Sequence, residues 1–321
     1  MNFIDKEIIP VYILTICIKL LLQESSNLNE RSNAMVIHHK ISTLGVLSIL
    51  CLIMFTASCA SLDTKMPEEV TPKNIIVLDD ITYRIGESDA WKLDLAMLEP
   101  SGDKLRPALV IIHGGGWNAG DKRDRPYRSM LLDYALKGYV TISVNYRLTR
   151  EAPLPACIED CKCAVRWLKA HAGQYKVDTD RIVAYGHSAG AHLVLMLGLA
   201  GPDAGLEGDG GWDDYSSSIT AVAGGSPPTE MPGRYGDTEK YSPLTYVTAD
   251  ALPILLIQGT ADPIVRKETT DKFVDKMKEV GAMDIRYKVV EGAVHDVAYN
   301  NYLDITSKAI DDFFNEVLAK D

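Results

Sequence analysis

Arg181-Ile182-Val183-Ala184-Tyr185-Gly186-His187-Ser188-Ala189-Gly190 runs on into Ala191-His192-Leu193-Val194-Leu195-Met196-Leu197-Gly198-Leu199-Ala200. Its first five residues form a short apolar run of the kind a buried strand needs. Its last ten read as a helix. Between them Gly186 and Gly190 bracket Ser188. A serine between two glycines at a strand-to-helix junction suits a turn too tight for side chains beside it. That bend would lift the hydroxyl above the sheet and set backbone N–H groups beneath it. Ser188 is therefore the candidate nucleophile, provided partners for it stand at other strand ends.

On either side of this stretch, strands and helices alternate. Ile75–Ile85 and Trp91–Leu98 read as a hairpin across the turn-rich Gly86-Glu87-Ser88-Asp89. Ala108–Ile112 is a continuous apolar run, and Tyr139–Val144, Ile219–Ala223, Ile254–Ile257 and Ile285–Val290 are further strands. Helices are expected at Arg128–Lys137, Ala156–Ala170, Arg266–Val280 and Tyr302–Leu318. The pattern predicts an α/β fold: a mostly parallel sheet of eight strands with helices on both faces. Gly201–Ser218 and Gly224–Leu244 are irregular, and each suits either a wall of the site or a solvated surface loop.

In open parallel sheets, ligands meet the carboxyl ends of the strands. Three segments fall there. His113-Gly114-Gly115-Gly116-Trp117 follows the strand Ala108–Ile112. Consecutive glycines let backbone N–H groups converge on one point, so Gly115 and Gly116, with Ala189 after the nucleophile, are the expected oxyanion donors. His113 reads as an anchor for that loop. Asp262, in Gly259-Thr260-Ala261-Asp262-Pro263, follows Ile254–Ile257 and can orient a histidine through its Nδ1–H. His295, in Glu291-Gly292-Ala293-Val294-His295-Asp296, follows the last strand and is the candidate general base. Trp117 and His187 flank the site and are candidate substrate contacts; His187 could equally only fill the elbow. Trp212 suits either stacking on a ring or anchoring its own loop.

The order Ser188, Asp262, His295 is that of the α/β-hydrolase fold. From about Asn74 to the C-terminus, the chain resembles an α/β-hydrolase of the esterase/lipase group. Within that group it is similar to the hormone-sensitive-lipase-like and BD-FAE (bacterial feruloyl/acetyl esterase) families. The residues that carry the resemblance are His113–Trp117, Asn145-Tyr146-Arg147-Leu148, Pro155-Ala156, Gly186–Gly190, Tyr241-Ser242-Pro243-Leu244 and Asp262-Pro263. The resemblance implies hydrolysis of carboxylic esters, often acetyl or feruloyl groups on polysaccharide, with no cofactor and no metal, and a structural role for Arg147. Two positions depart from the family pattern. Asp296 stands where relatives commonly have Gly, and Gly224-Gly225-Ser226-Pro227-Pro228 replaces an aromatic-Gly-Pro segment, which alters the acyl pocket. Alternatives are a peptidase or lipase of the same fold, or a degenerate hydrolase that only binds at a surface. Peptidases of this kind usually carry a propeller or a large lid, and no stretch here reads as either.

Composition narrows the setting. A net charge of −11 on 321 residues argues against nucleic acid as a partner, since few counterions would be released from phosphates. Residues 1–58 read as a leader, with 1–34 as a mis-assigned upstream extension and 35–58, from Met35, as a lipoprotein signal peptide. Cys59 after Thr56-Ala57-Ser58 is the expected lipidation site, residues 59–73 a tether, and 74–321 the hydrolase domain. The expectation is an exported lipoprotein of a bacterial cell envelope, in contact with the membrane only through that lipid. Cys157, Cys161 and Cys163 share one expected helix and read as small core residues.

Overall fold

The computed structural model describes residues 74–100, 102–297 and 303–319. The leader, Cys59 and residues 60–73 lie outside the described residues. Among the described residues no helix is long and apolar enough to cross a membrane.

Continuous apolar runs occupy the middle of the sheet. The strands are β1 (Ile75–Thr82), β2 (Lys92–Leu98), β3 (Arg106–Ile112), β4 (Val140–Val144), β5 (Val177–His187), β6 (Ala221–Gly225), β7 (Ile254–Gly259) and β8 (Ile285–Val290). They form one eight-stranded sheet in the order β1-β2-β4-β3-β5-β6-β7-β8. The β1–β2 and β2–β4 pairings are antiparallel, and all others are parallel. β4, β6 and β7 are buried along their whole length because both faces are covered. Along β3 the side chains alternate. Ala108, Val110 and Ile112 join the core under α2 (Ala156–Ala170), α4 (Ala189–Leu199) and α5 (Lys267–Glu279). Leu109 and Ile111 join the core under α1 (Arg125–Leu136) and α6 (Leu303–Leu318). A four-residue turn of helix, α3 (Ala172–Tyr175), leads into β5.

The elements fall where the sequence predicts them, with shifted ends. β1 stops at Thr82, because a short 3₁₀ turn at Asp89–Trp91 takes up the hairpin connection. α1 starts at Arg125 with Pro126 in its first turn, a position that needs no backbone N–H. Cys157, Cys161 and Cys163 are buried free thiols in the core beneath α2, as their small apolar character predicts. Burial pushes the Cys157 thiol up to about 12.

The segment 201–218 is held against α2 and Tyr83. Glu207 accepts from Lys162 at 2.8 Å and from Arg166 at 2.9 Å, both on α2. Trp212 donates its indole N–H to the carbonyl of Tyr83 at 2.8 Å, so it is the anchor of its loop.

Candidate active site

The register of the parallel strands assembles the site. Ile112 pairs with Gly186, His187 with Gly225, Gly225 with Ile257 and Gly259 with Val290. The carboxyl ends of β3, β5, β6, β7 and β8 therefore line up at one edge of the sheet. Each next loop carries one part: His113–Trp117, Ser188, Ser226, Asp262 and His295.

At the elbow Ser188 adopts φ 55° and ψ −121°, a backbone conformation that non-glycine residues seldom hold outside functional turns. Its neighbours must be glycines. A Cβ on Gly186 would lie 2.3 Å from the carbonyl of Gly190, and one on Gly190 would lie 2.1 Å from the carbonyl oxygen of Ile112. The strained residue is held on both sides. Ser188 N–H donates to Gly225 O at 2.8 Å, and Ser188 O accepts from His192 N–H at 3.1 Å.

Three side chains far apart in sequence then meet. Ser188 Oγ lies 2.8 Å from His295 Nε2, and His295 Nδ1 lies 2.9 Å from Asp262 Oδ2 and 3.1 Å from Oδ1. Asp262 Oδ1 also accepts from the N–H groups of Ile264 and Val265, at 2.9 and 3.0 Å. Burial pushes the Asp262 carboxyl up, but these donors, His295 first, outweigh it and hold the group below the usual carboxylate range. An ionised Asp262 keeps the proton of His295 on Nδ1. Nε2 is then free to take the serine proton.

The glycine loop faces the elbow. Gly114 lies against Ser188: a Cβ there would sit 2.9 Å from His187 O and 3.5 Å from Ser188 Cβ. Gly115 and Gly116 have φ of +114° and +62°. A Cβ on Gly115 would fall 2.0 Å from Ala119 O, so only glycine fits. Among the described residues, the N–H groups of Gly115, Gly116 and Ala189 bond no backbone acceptor. His113 anchors this loop, as predicted. It is buried, stacks on Tyr146 with ring centroids 4.3 Å apart, and donates from Nδ1 to Gly114 O at 2.7 Å.

Trp117 sits differently from its expected place against substrate. Its φ of +59° turns the indole inward, where it is 5% exposed and donates to His192 Nδ1 at 3.1 Å. His192 in turn donates from Nε2 to Tyr241 O at 2.8 Å. One buried imidazole thus ties the glycine loop, α4 and the 224–244 stretch together. Burial pushes His192 down to about 4, so it stays neutral and can both donate and accept. Tyr235, from the same stretch, packs on Trp117 at 5.1 Å and donates its hydroxyl to Gly116 O at 3.4 Å. The 224–244 stretch therefore packs on the glycine loop and α4, which fits the first of the two readings its composition leaves open.

His187 is also buried, 5% exposed, with Nε2 2.7 Å from the carbonyl oxygen of His295. Of the two readings open to it from sequence, its geometry fits a residue turned into the fold. Sequence reasoning missed two more side chains, Ser226 and Gln258. Ser226 Oγ lies 3.4 Å from that same carbonyl. Gln258, fully buried, donates to Asp262 Oδ2 at 3.3 Å and to Val265 O at 2.9 Å, while its Oε1 accepts from Thr270 at 3.0 Å. The signal for both was position: each stands at the carboxyl end of a buried strand. Among the described residues no cluster of side chains could hold a metal ion.

The BD-FAE family model matches residues 93–240, a span that takes in the glycine loop and Ser188 and ends before Asp262. Esterase LipQ of Mycobacterium tuberculosis is 27% identical over 242 residues, 67% of this chain and 56% of that protein. The butyrate-bound esterase 2 of the planctomycete Thermogutta terrifontis is 26% identical, with a TM-score of 0.66 over 76% of this chain and 95% of that one. The chain shares the α/β-hydrolase fold of these esterases and is similar to them in sequence. The same fold is found in a truncated carbohydrate esterase from gut microbiota, at a TM-score of 0.69 over 79% of this chain and 99% of that one, with 24% identity. The chain spans 56% to 64% of the length of LipQ and two other curated mycobacterial relatives.

Proposed function

We propose that this α/β-hydrolase is a serine carboxylic-ester hydrolase with Ser188 as nucleophile, His295 as general base and acid, and Asp262 as its orienting carboxylate. The observation that carries the reading is the continuous path of 2.8 and 2.9 Å contacts from Ser188 Oγ through His295 to Asp262, opposite the glycine loop. Ser188 Oγ attacks the ester carbonyl carbon while its proton passes to His295 Nε2. The carbonyl oxygen becomes an anion and is held by the N–H groups of Gly115, Gly116 and Ala189. Collapse breaks the ester C–O bond, and the leaving alkoxide takes the proton from His295. Water then attacks the acyl-serine, gives one proton to His295, and releases the carboxylic acid as Ser188 recovers its hydrogen. None of these steps calls on a metal or an organic cofactor.

The substrate we infer is a small or carbohydrate-borne ester with a short or feruloyl-type acyl group. The BD-FAE match and the likeness to an esterase that binds butyrate support it. We further propose that residues 59–73 tether the 74–321 domain to a bacterial envelope through a lipid on Cys59. Intact mass of the native protein checks this: a mature N-terminus upstream of Cys59 refutes it.

Ser188→Ala should lower turnover of p-nitrophenyl acetate by several orders of magnitude, because members of such a unit act together. Near-wild-type turnover in a pure preparation would overturn the assignment. A panel of acetylated xylan, feruloyl esters and p-nitrophenyl esters of rising chain length then ranks the acyl groups.

A further inference from the structure

His187 and Ser226 converge on a single atom outside the reacting set, the carbonyl oxygen of His295. His187 Nε2 is 2.7 Å from it and Ser226 Oγ 3.4 Å. A ring nitrogen bonded to a carbonyl must carry hydrogen, so His187 donates. Both side chains are buried, and both stand at the carboxyl ends of central strands, β5 and β6. The earlier part of the His295 loop is held separately, by the loop that carries Asp262. Ala261 N–H donates to Ala293 O at 3.0 Å, and Gly292 N–H donates to Thr260 Oγ1 at 2.8 Å. Those bonds end two residues short of His295.

We propose that His187 is a positioning residue: its Nε2–H fixes the main chain at His295 and so sets the distance from that imidazole to Ser188. The proposal rests on the reading of His295 as the base. Its force comes from connectivity. His187 directly precedes Ser188, so nucleophile and base are referenced to the same short piece of β5. A small displacement of the elbow carries the base with it, and the 2.8 Å contact between Ser188 and His295 survives. Ser226 braces the same carbonyl from the neighbouring strand. The two imidazoles lie 5.0 Å apart at 56°, which leaves the His187 ring beside the base and outside the path from Ser188 to Asp262. Burial, reinforced by the nearness of His295, pushes His187 down to about 4, so the donor stays a neutral one while the base works.

The test compares three full-length variants by steady-state kinetics on p-nitrophenyl acetate, with melting temperature as the check on folding. His187→Gln places an amide N–H near the position of Nε2. His187→Phe fills the volume without a donor, and His187→Asn carries a donor too short to reach. A base displaced by about 1 Å costs on the order of 10²-fold, so His187→Phe and His187→Asn should lose about that in kcat with KM little changed. His187→Gln should keep kcat within roughly tenfold of the native enzyme, since it restores the bond that sets the geometry. If His187→Phe does not fold, the contrast between Gln and Asn decides alone. Undiminished kcat in both His187→Phe and His187→Asn, equal losses in all three variants, or a loss confined to KM would overturn the proposal; the last would make His187 a substrate contact. His295→Ala in the same assay separates the two readings. Activity retained there refutes the base assignment itself. Activity lost there but kept in His187→Phe and His187→Asn refutes only the positioning role.

Discussion

Asp262→Asn changes one atom of the site, and its effect can be worked from the hydrogen bonds. Oδ1 accepts from Ile264 N–H and Val265 N–H at 2.9 and 3.0 Å. Backbone donors cannot turn, so the new amide must keep its oxygen there. Its nitrogen then takes the place of Oδ2, facing His295 Nδ1 at 2.9 Å and Gln258 Nε2 at 3.3 Å. Gln258 is held in its present sense by Val265 O and the Thr270 hydroxyl and cannot flip to accept. The new N–H group is therefore satisfied only if His295 Nδ1 becomes an acceptor, which moves the ring proton to Nε2. In that tautomer Nε2 faces Ser188 with a hydrogen and cannot take the serine proton. A wrong tautomer of this kind costs about 10⁴ in kcat. That corresponds to about 5.4 kcal/mol of transition-state stabilisation at about 1.36 kcal/mol per decade. Initial rates on p-nitrophenyl acetate measure it, with the melting temperature confirming a folded protein and fluorophosphonate labelling following Ser188 reactivity directly. A loss under about tenfold in a folded variant would refute the coupling of tautomer to Asp262.

Two other perturbations follow from the same contacts. Gly115→Ala puts a methyl 2.0 Å from Ala119 O at a φ of +114°, so the loop must move off its donors; kcat should fall by about 10²–10³, the loss typical of one oxyanion donor. An unchanged kcat would mean that Gly115 does not hold the oxyanion. Acid should destabilise the fold through its buried histidines: His187, facing His295, Asp262 and Asp296, and His192, between Trp117 and Tyr241, both lie near about 4 when folded. An unfolded histidine binds its proton near about 6.5, so their contribution is full above that pH. It is lost as pH falls toward about 4, at up to about 1.4 kcal/mol per pH unit for each histidine. Urea midpoints across that window should show a shallower slope for His187→Gln than for the native chain, and equal slopes would refute the contribution of His187.

How much of this was legible beforehand depends on whether a role is local. The elbow, the glycine loop, Asp262 and His295 each announce themselves as a turn at the end of an apolar strand, a pattern a few residues long. The parallel register then does the rest: once Ile112, Gly186, Gly225, Ile257 and Val290 lie along one edge of the sheet, the loops after them have to meet. Trp117 shows where local reading stops. Its neighbours in sequence put it beside the site, but a backbone φ of +59° turns the ring into the core, and no residue type near it dictates that angle. His187, Ser226, His192 and Gln258 mark the same boundary from the other side. Each acts through a bond or chain of bonds to a segment placed by tertiary packing, so a single imidazole, hydroxyl or amide looks bland in the sequence. The residues that do chemistry are thus readable one strand at a time. Those that hold them become readable only after the strands are assembled, when His187 and Ser226 reach the His295 carbonyl and Gln258 reaches Asp262.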